Sequence, residues 1–189
     1  MIMENPIKIG NHYYNINSEH FSLKWEESPI NFNDLSYLKQ FPNLISANFY
    51  SSNLNDEGLA HISNCSKIEN LDLQDTEITN DGIKYLKNLE FLQYLRLKGN
   101  TQLTDECIPY LTEINNLLNL QIQETSITEV GLKKLTVIKY MEMITIQVWN
   151  NNFTFDGLLK ISRELPHCEI LAKGDGSFCN GEFEGKWSH

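Results

Sequence analysis

The chain has 189 residues, 41% of them apolar and 11% aromatic, which is enough for one folded domain with a substantial core and excludes a disordered chain. Fifteen lysines and arginines stand against 25 aspartates and glutamates, and the formal charge of −10 repels nucleic-acid phosphates and anionic membranes while attracting a basic partner. No window reaches the roughly 20 uninterrupted apolar residues of a membrane span, and the start MIMENPIKIGNHYY lacks the basic-then-apolar pattern of a secretory signal, so a cytoplasmic location is expected.

In residues 1 to 20, Ile7, Ile9, Tyr13, Tyr14 and Ile16 alternate roughly, which predicts an N-terminal capping segment. From 21 to 173 one strand-plus-helix unit recurs. Alignment on the middle apolar residue of each strand places anchors at Leu23, Ala47, Leu71, Leu95, Leu120, Ile144 and Ile170, spaced 24 to 26 residues apart. The residue two further on is Trp25, Phe49, Leu73, Leu97, Ile122 or Ile146, so each copy has the alternation of a half-buried strand.

After each strand a polar turn leads to a helix-start signal, as in Leu54-Asn55-Asp56-Glu57-Gly58 or Ile127-Thr128-Glu129-Val130-Gly131. Asn or Thr at the cap accepts a backbone N–H, and an acid in the first turn answers the helix dipole. Every third residue then turns inward: Leu59, Ile62, Cys65 and Ile68 in one copy, Leu132, Leu135, Ile138 and Met141 in another. That spacing predicts a tight helix and a descending turn. The first copy keeps Ile30, Leu35, Leu38, Phe41 and Leu44, with Asp34 in the glycine position. Extra residues fall near Asn100-Thr101-Gln102 in one copy and near Val148 to Asn152 in another. Residues 174 to 189 carry Phe178, Phe183 and Trp187, and either cover the last repeat or stay partly mobile.

Cys65, Cys107, Cys168 and Cys179 include no CxxC pair, so reduced and mostly buried thiols are expected. The five histidines are scattered without a metal-binding or triad spacing, and His167 falls on an apolar repeat position. Asp175-Gly176-Ser177 matches a calcium loop for three residues only, and no phosphate-cradling glycine motif is present. No catalytic residue, metal or cofactor is expected.

The run LDLQDTEITNDGIKYLKNLEFLQYLRLKGNTQLTDECIPYL resembles leucine-rich repeats of the cysteine-containing, ribonuclease-inhibitor-like type, with Cys107 departing from the usual glycine. The resemblance implies an α/β solenoid of about six repeats, curved, with a parallel sheet on the concave face and helices on the convex face. It also implies a non-enzymatic protein-binding role.

The outward strand positions then form the candidate binding face. One residue after each anchor stand Lys24, Asn48, Asp72, Arg96 and Gln121; three after stand Glu26, Tyr50, Gln74, Lys98, Gln123 and Gln147; one before stand Ser46, Asn70, Tyr94 and Asn119. Acids gather at the strand-to-helix edge, and Glu26, Glu27, Asp75 and Glu124 precede the helices, so they predict a rim that meets a basic partner. Trp149, among Asn150, Asn151 and Asn152, is either wedged into a neighbouring repeat or offered as a hot spot. The expected function is an inhibitor or immunity-type protein that occludes a basic protein such as a toxin, with an adaptor that recruits a substrate as the alternative.

Overall fold

A computed structural model describes residues 6–23, 29–148 and 153–189. A hairpin of β1 (Pro6–Ile9) and β2 (His12–Asn15) comes first. Seven short strands follow, each parallel to the next: β3 (His20–Ser22), β4 (Ser46–Asn48), β5 (Asn70–Asp72), β6 (Tyr94–Arg96), β7 (Asn119–Gln121), β8 (Met143–Ile146) and β9 (Glu169–Ala172). They lie side by side in chain order, and β10 (Gly176–Cys179) and β11 (Glu182–Gly185) add antiparallel to give a sheet of nine.

Parallel neighbours need crossovers, and helical turns supply them. These are α1 (Phe32–Leu35) running into a 3-10 turn at Ser36–Gln40, α2 (Asp56–Ile62), a 3-10 helix at Asn80–Asn88, a 3-10 turn at Asp105–Cys107 running into α3 (Ile108–Leu111), α4 (Glu129–Lys134) with a 3-10 turn at Leu135–Val137, and α5 (Phe155–Glu164). The apolar spacing of three is the 3-10 period, and the inward set it predicts is buried throughout: Leu59, Ile62, Cys65 and Ile68 in one crossover, and Leu132, Leu135, Ile138 and Met141 in another, all lie below 9% exposure. With the strand residues they make one continuous core.

Four strands, β4 to β7, end in the same device, and the turn after β9 shares its left-handed step. The residue four past the anchor turns left-handed, at Ser51 (φ 56), Asp75 (φ 52), Gly99 (φ 79), Glu124 (φ 56) and Gly174 (φ 97). The next side chain bonds back to the carbonyl three residues earlier: Ser52 to Phe49 at 2.7 Å, Thr76 to Leu73 at 3.0 Å, Asn100 to Leu97 at 2.9 Å and Thr125 to Ile122 at 2.8 Å. This closes the turn and aims the chain at the next helix.

Two expectations need correction. Phe21, not Leu23, pairs with Ala47, so the first strand sits two residues earlier and its spacing is 26. Leu23 takes the place equivalent to Phe49, its N–H donating to the Asn48 carbonyl as that of Phe49 donates to Asp72. His167 is exposed; Leu165 and Cys168 fill the apolar positions, at 2% and 1% exposure. The terminal segments are both packed. Ile9 of the first hairpin is fully buried, with the Gly10 N–H on Asp34 at 3.1 Å. Phe178 of β10 is fully buried against Phe155, Phe183 and Trp187. Asp175, 6% exposed, accepts from the Ser188 hydroxyl at 2.7 Å and pairs with His189 at 3.2 Å.

Candidate functional site

Because Cβ atoms alternate across a strand, the residues flanking each anchor share the sheet's open face. In the corrected register one row holds Ser46, Asn70, Tyr94, Asn119 and Met143. The next holds Asn48, Asp72, Arg96, Gln121 and Thr145, and Tyr50, Gln74, Lys98, Gln123 and Gln147 stand two residues further on. Lys24, Glu26, Glu27 and Trp149 lie outside the described residues.

The face is not uniform. Tyr50 and Tyr94 stand out at 54% and 45% exposure, whereas Gln74 and Gln123, expected to face solvent, are buried to 6% and 4%. The Gln74 amide donates to Asp75 at 2.8 Å. Arg96 Nη1 lies 3.2 Å from Asp72 Oδ2 across β5 and β6, and Lys98 Nζ lies 3.4 Å from Glu124 Oε1. Asn48 and Asp72 each accept the backbone N–H two residues on, at 2.8 and 2.9 Å, and lock the strand exits. A shallow depression of about 300 Å³ runs over β4 to β7, lined by Asn48, Asn70, Asp72, Tyr94, Arg96 and Gln121 among others.

The acids at the edge turn out to be tied down. Asp56 accepts from the Thr79 N–H and hydroxyl at 2.8 and 2.6 Å, Asp105 from those of Thr128 at 2.7 and 2.6 Å, and Glu129 from those of Thr154 at 2.9 and 2.7 Å. Asn80 holds Thr104 in their place, its Oδ1 accepting the Thr104 N–H and its Nδ2 donating to the hydroxyl, at 2.9 Å for each bond. From α2 onward a first-turn acid, or Asn80 in one unit, therefore stitches each crossover to the cap of the next, a role one unit of sequence does not reveal. The two described rim residues are exposed but engaged: Asp75 accepts from Gln74 at 2.8 Å, and Glu124 holds Lys98. Both occupy left-handed turns.

Burial pushes the thiols of Cys65 up to about 11 and of Cys107 and Cys168 up to about 12, so these cysteines are protonated and inert; Cys179 is exposed. Among the described residues no group of three or more His, Cys, Asp or Glu is placed to hold a metal ion. No described helix is long and apolar enough to cross a membrane.

No family model matches the sequence, and no curated protein is similar to it. Solved structures are. Internalin C2 from Listeria monocytogenes superposes with a TM-score of 0.53 at 20% identity, over 84% of this chain and 68% of that one. The leucine-rich repeat-containing protein LegL7 from Legionella pneumophila gives 0.53 at 13% identity, over 86% of this chain and 57% of LegL7. These likenesses, with the mostly parallel nine-stranded sheet and its helical crossovers, show an α/β leucine-rich-repeat fold.

Proposed function

We propose that this chain is a non-enzymatic protein-binding module, a curved solenoid of about six repeats that docks its partner on the open, inner face of the sheet. The observation that carries the reading is the pair Tyr50 and Tyr94, half exposed on the face that also holds the polar depression. Aromatic side chains give large contact area at low entropic cost, which is why interfaces collect them. The two terminal hairpins act as caps that leave this face as the working surface.

The net charge of −10 favours a basic partner by long-range steering. Occlusion, the role of an inhibitor or immunity-type protein, needs only this one face. An adaptor needs a second docking element. Affinity capture from native lysate at low and high salt tests the reading, with Tyr50→Ala/Tyr94→Ala as the control. A stoichiometric basic protein, lost with the double variant and weakened by salt, is the expected result. Recovery of an acidic protein indifferent to salt, or equal recovery by both baits, counts against it.

A further inference from the structure

The sheet stops at β11, and no described strand pairs with its outer side. The turn before β11 fixes which of its backbone groups face outward. Asn180 and Gly181, at φ 49 and 78, form a two-residue hairpin loop of the left-handed kind that matches strand twist. Cys179 and Glu182, which flank it, therefore exchange both ladder bonds, as do Ser177 and Glu184, while Phe178 and Phe183 oppose each other without them. The Lys186 N–H on the Asp175 carbonyl at 2.6 Å continues the same alternation. The N–H and C=O of Phe183 thus point away from β10, and no other backbone group of the described residues bonds to either. They are the first rung of a ladder with no strand on its far side.

The neighbouring side chains decide what can complete it. Glu182 and Glu184 flank Phe183, alternate to the other side of the sheet from its ring, are exposed, and make no side-chain hydrogen bond or ion pair among the described residues. The ring itself lies half-buried against Phe155, Phe178 and Trp187. Two bases stand nearby, Arg163 against the Gly181 turn and Lys186 at the end of the strand, and neither pairs with these glutamates. Charge on an open edge guards it against a second copy. Pairing two β11 strands about Phe183 sets Glu182 opposite Glu184 twice, pairing Phe183 with Gly185 sets Glu184 opposite itself, and each chain brings a charge of −10. The same glutamates favour a strand of the opposite sign.

We infer that β11 is a docking edge, separate from the inner face, to which a basic extended segment of a partner adds antiparallel as a further strand. The residue opposite Phe183 exchanges two main-chain bonds with it, and a β-branched side chain there packs beside the Phe183 ring. Lysines or arginines on either side of that residue oppose Glu182 and Glu184. Such an edge supplies the second docking element that an adaptor needs, and it does not depend on what the inner face binds.

The probe is an end-capped heptapeptide with lysine-valine-lysine at its centre and only serine and glycine outside, titrated at low salt into the isotope-labelled full chain and followed by NMR. Amide signals of Glu182 to Gly185 move and saturate, and the Phe183 amide becomes protected from exchange. N-methylation of the central valine, which removes the N–H that reaches the Phe183 carbonyl, weakens binding about tenfold. Glu182→Lys/Glu184→Lys weakens it by at least as much and takes the glutamate-valine-glutamate peptide instead; the N-methyl comparison needs no variant and serves if that one unfolds. Tyr50→Ala/Tyr94→Ala binds as the wild type does. The inference falls if no β11 signal moves, if the N-methylated peptide binds as tightly as its parent, if the charge-reversed variant still prefers lysine, or if the tyrosine variant loses the shifts. A wild-type dimer in sedimentation whose contact protects the Phe183 amide gives the edge to a second copy and overturns it as well. Failure here with a basic partner still captured through Tyr50 and Tyr94 leaves the inner-face reading standing.

Discussion

At the scale of single residues the repeat is governed by what sits one unit back. A Cβ on Gly82 would run into the Asp56 carboxylate, and one on Gly131 into Asp105, because those acids lean over the next helix start to reach its threonine. Gly82→Ala should therefore destabilise by about 1–3 kcal/mol in urea melts, as overpacking does, and by clearly less in an Asp56→Ala background; equal costs in both would sink the account. At Cys107, where glycine is usual, the side chain one unit back is Asn80 rather than an acid. The departure is visible in sequence, but its neighbour 27 residues earlier is not. The buried thiols carry a second prediction. Their folded acidities are raised from 9.0 to about 11 for Cys65 and about 12 for Cys107 and Cys168. Above pH 9 the unfolded chain loses these protons while the native chain keeps them. Their contribution is thus fully present below pH 9 and is lost as pH rises towards 12. Urea midpoints between pH 8 and 10.5 should fall more steeply for the wild type than for Cys107→Ala, and parallel curves would refute the assignment.

The next scale is the strand-and-helix element, whose parts differ in how far they can be read. The inward helical set was legible except in the last copy, where His167 was placed inward, because a spacing of three has one buried face and the residues on it are Leu, Ile, Cys and Met. The first strand was not. Phe21 and Leu23 are both apolar and two apart, and a two-residue slip keeps the alternation intact, so only pairing with Ala47 fixes the register. The left-handed exits at Ser51, Asp75 and Glu124 also escape a pattern search, since glycine fills that place only at Gly99 and Gly174. Nor could sequence tell that Gln74 and Gln123 are buried, because alternation assigns a face and not a depth. What joins one element to the next is the acid-to-threonine stitch. Thr128 caps α4 by accepting from Val130 at 3.2 Å and donates to Asp105, so its hydroxyl serves two units at once. Thr128→Val keeps the shape and removes both bonds; a loss of about 1–2 kcal/mol is expected by thermal or urea unfolding. A loss no greater than that of an exposed control such as Thr101→Val would show the stitch to be idle.

Across the whole molecule, each unit touches only its neighbours, so damage should spread along the stack by distance. The far end is closed by Phe178, wholly buried, with ring centres 5.3 Å from Phe155 and 4.7 Å from Phe183, beside a clasp in which Asp175 holds Ser188 and His189. Phe178→Ala removes the centre of that aromatic cluster, at a cost of about 3–5 kcal/mol by analogy with other buried phenylalanines. In a two-state globule the cost would fall on every amide alike. In a stack built of nearest-neighbour interfaces, it falls on the units next to the lesion, because interior strands keep both of their own neighbours. Native-state hydrogen exchange distinguishes the two cases: amides of β9 and α5 should lose most of their protection, those of β8 less, and those of β4 to β6 should exchange as in the wild type. Uniform loss along the sheet would mean that the repeats fold as one indivisible body, and that the face bearing Tyr50, Tyr94 and Arg96 depends on its distant end for its shape.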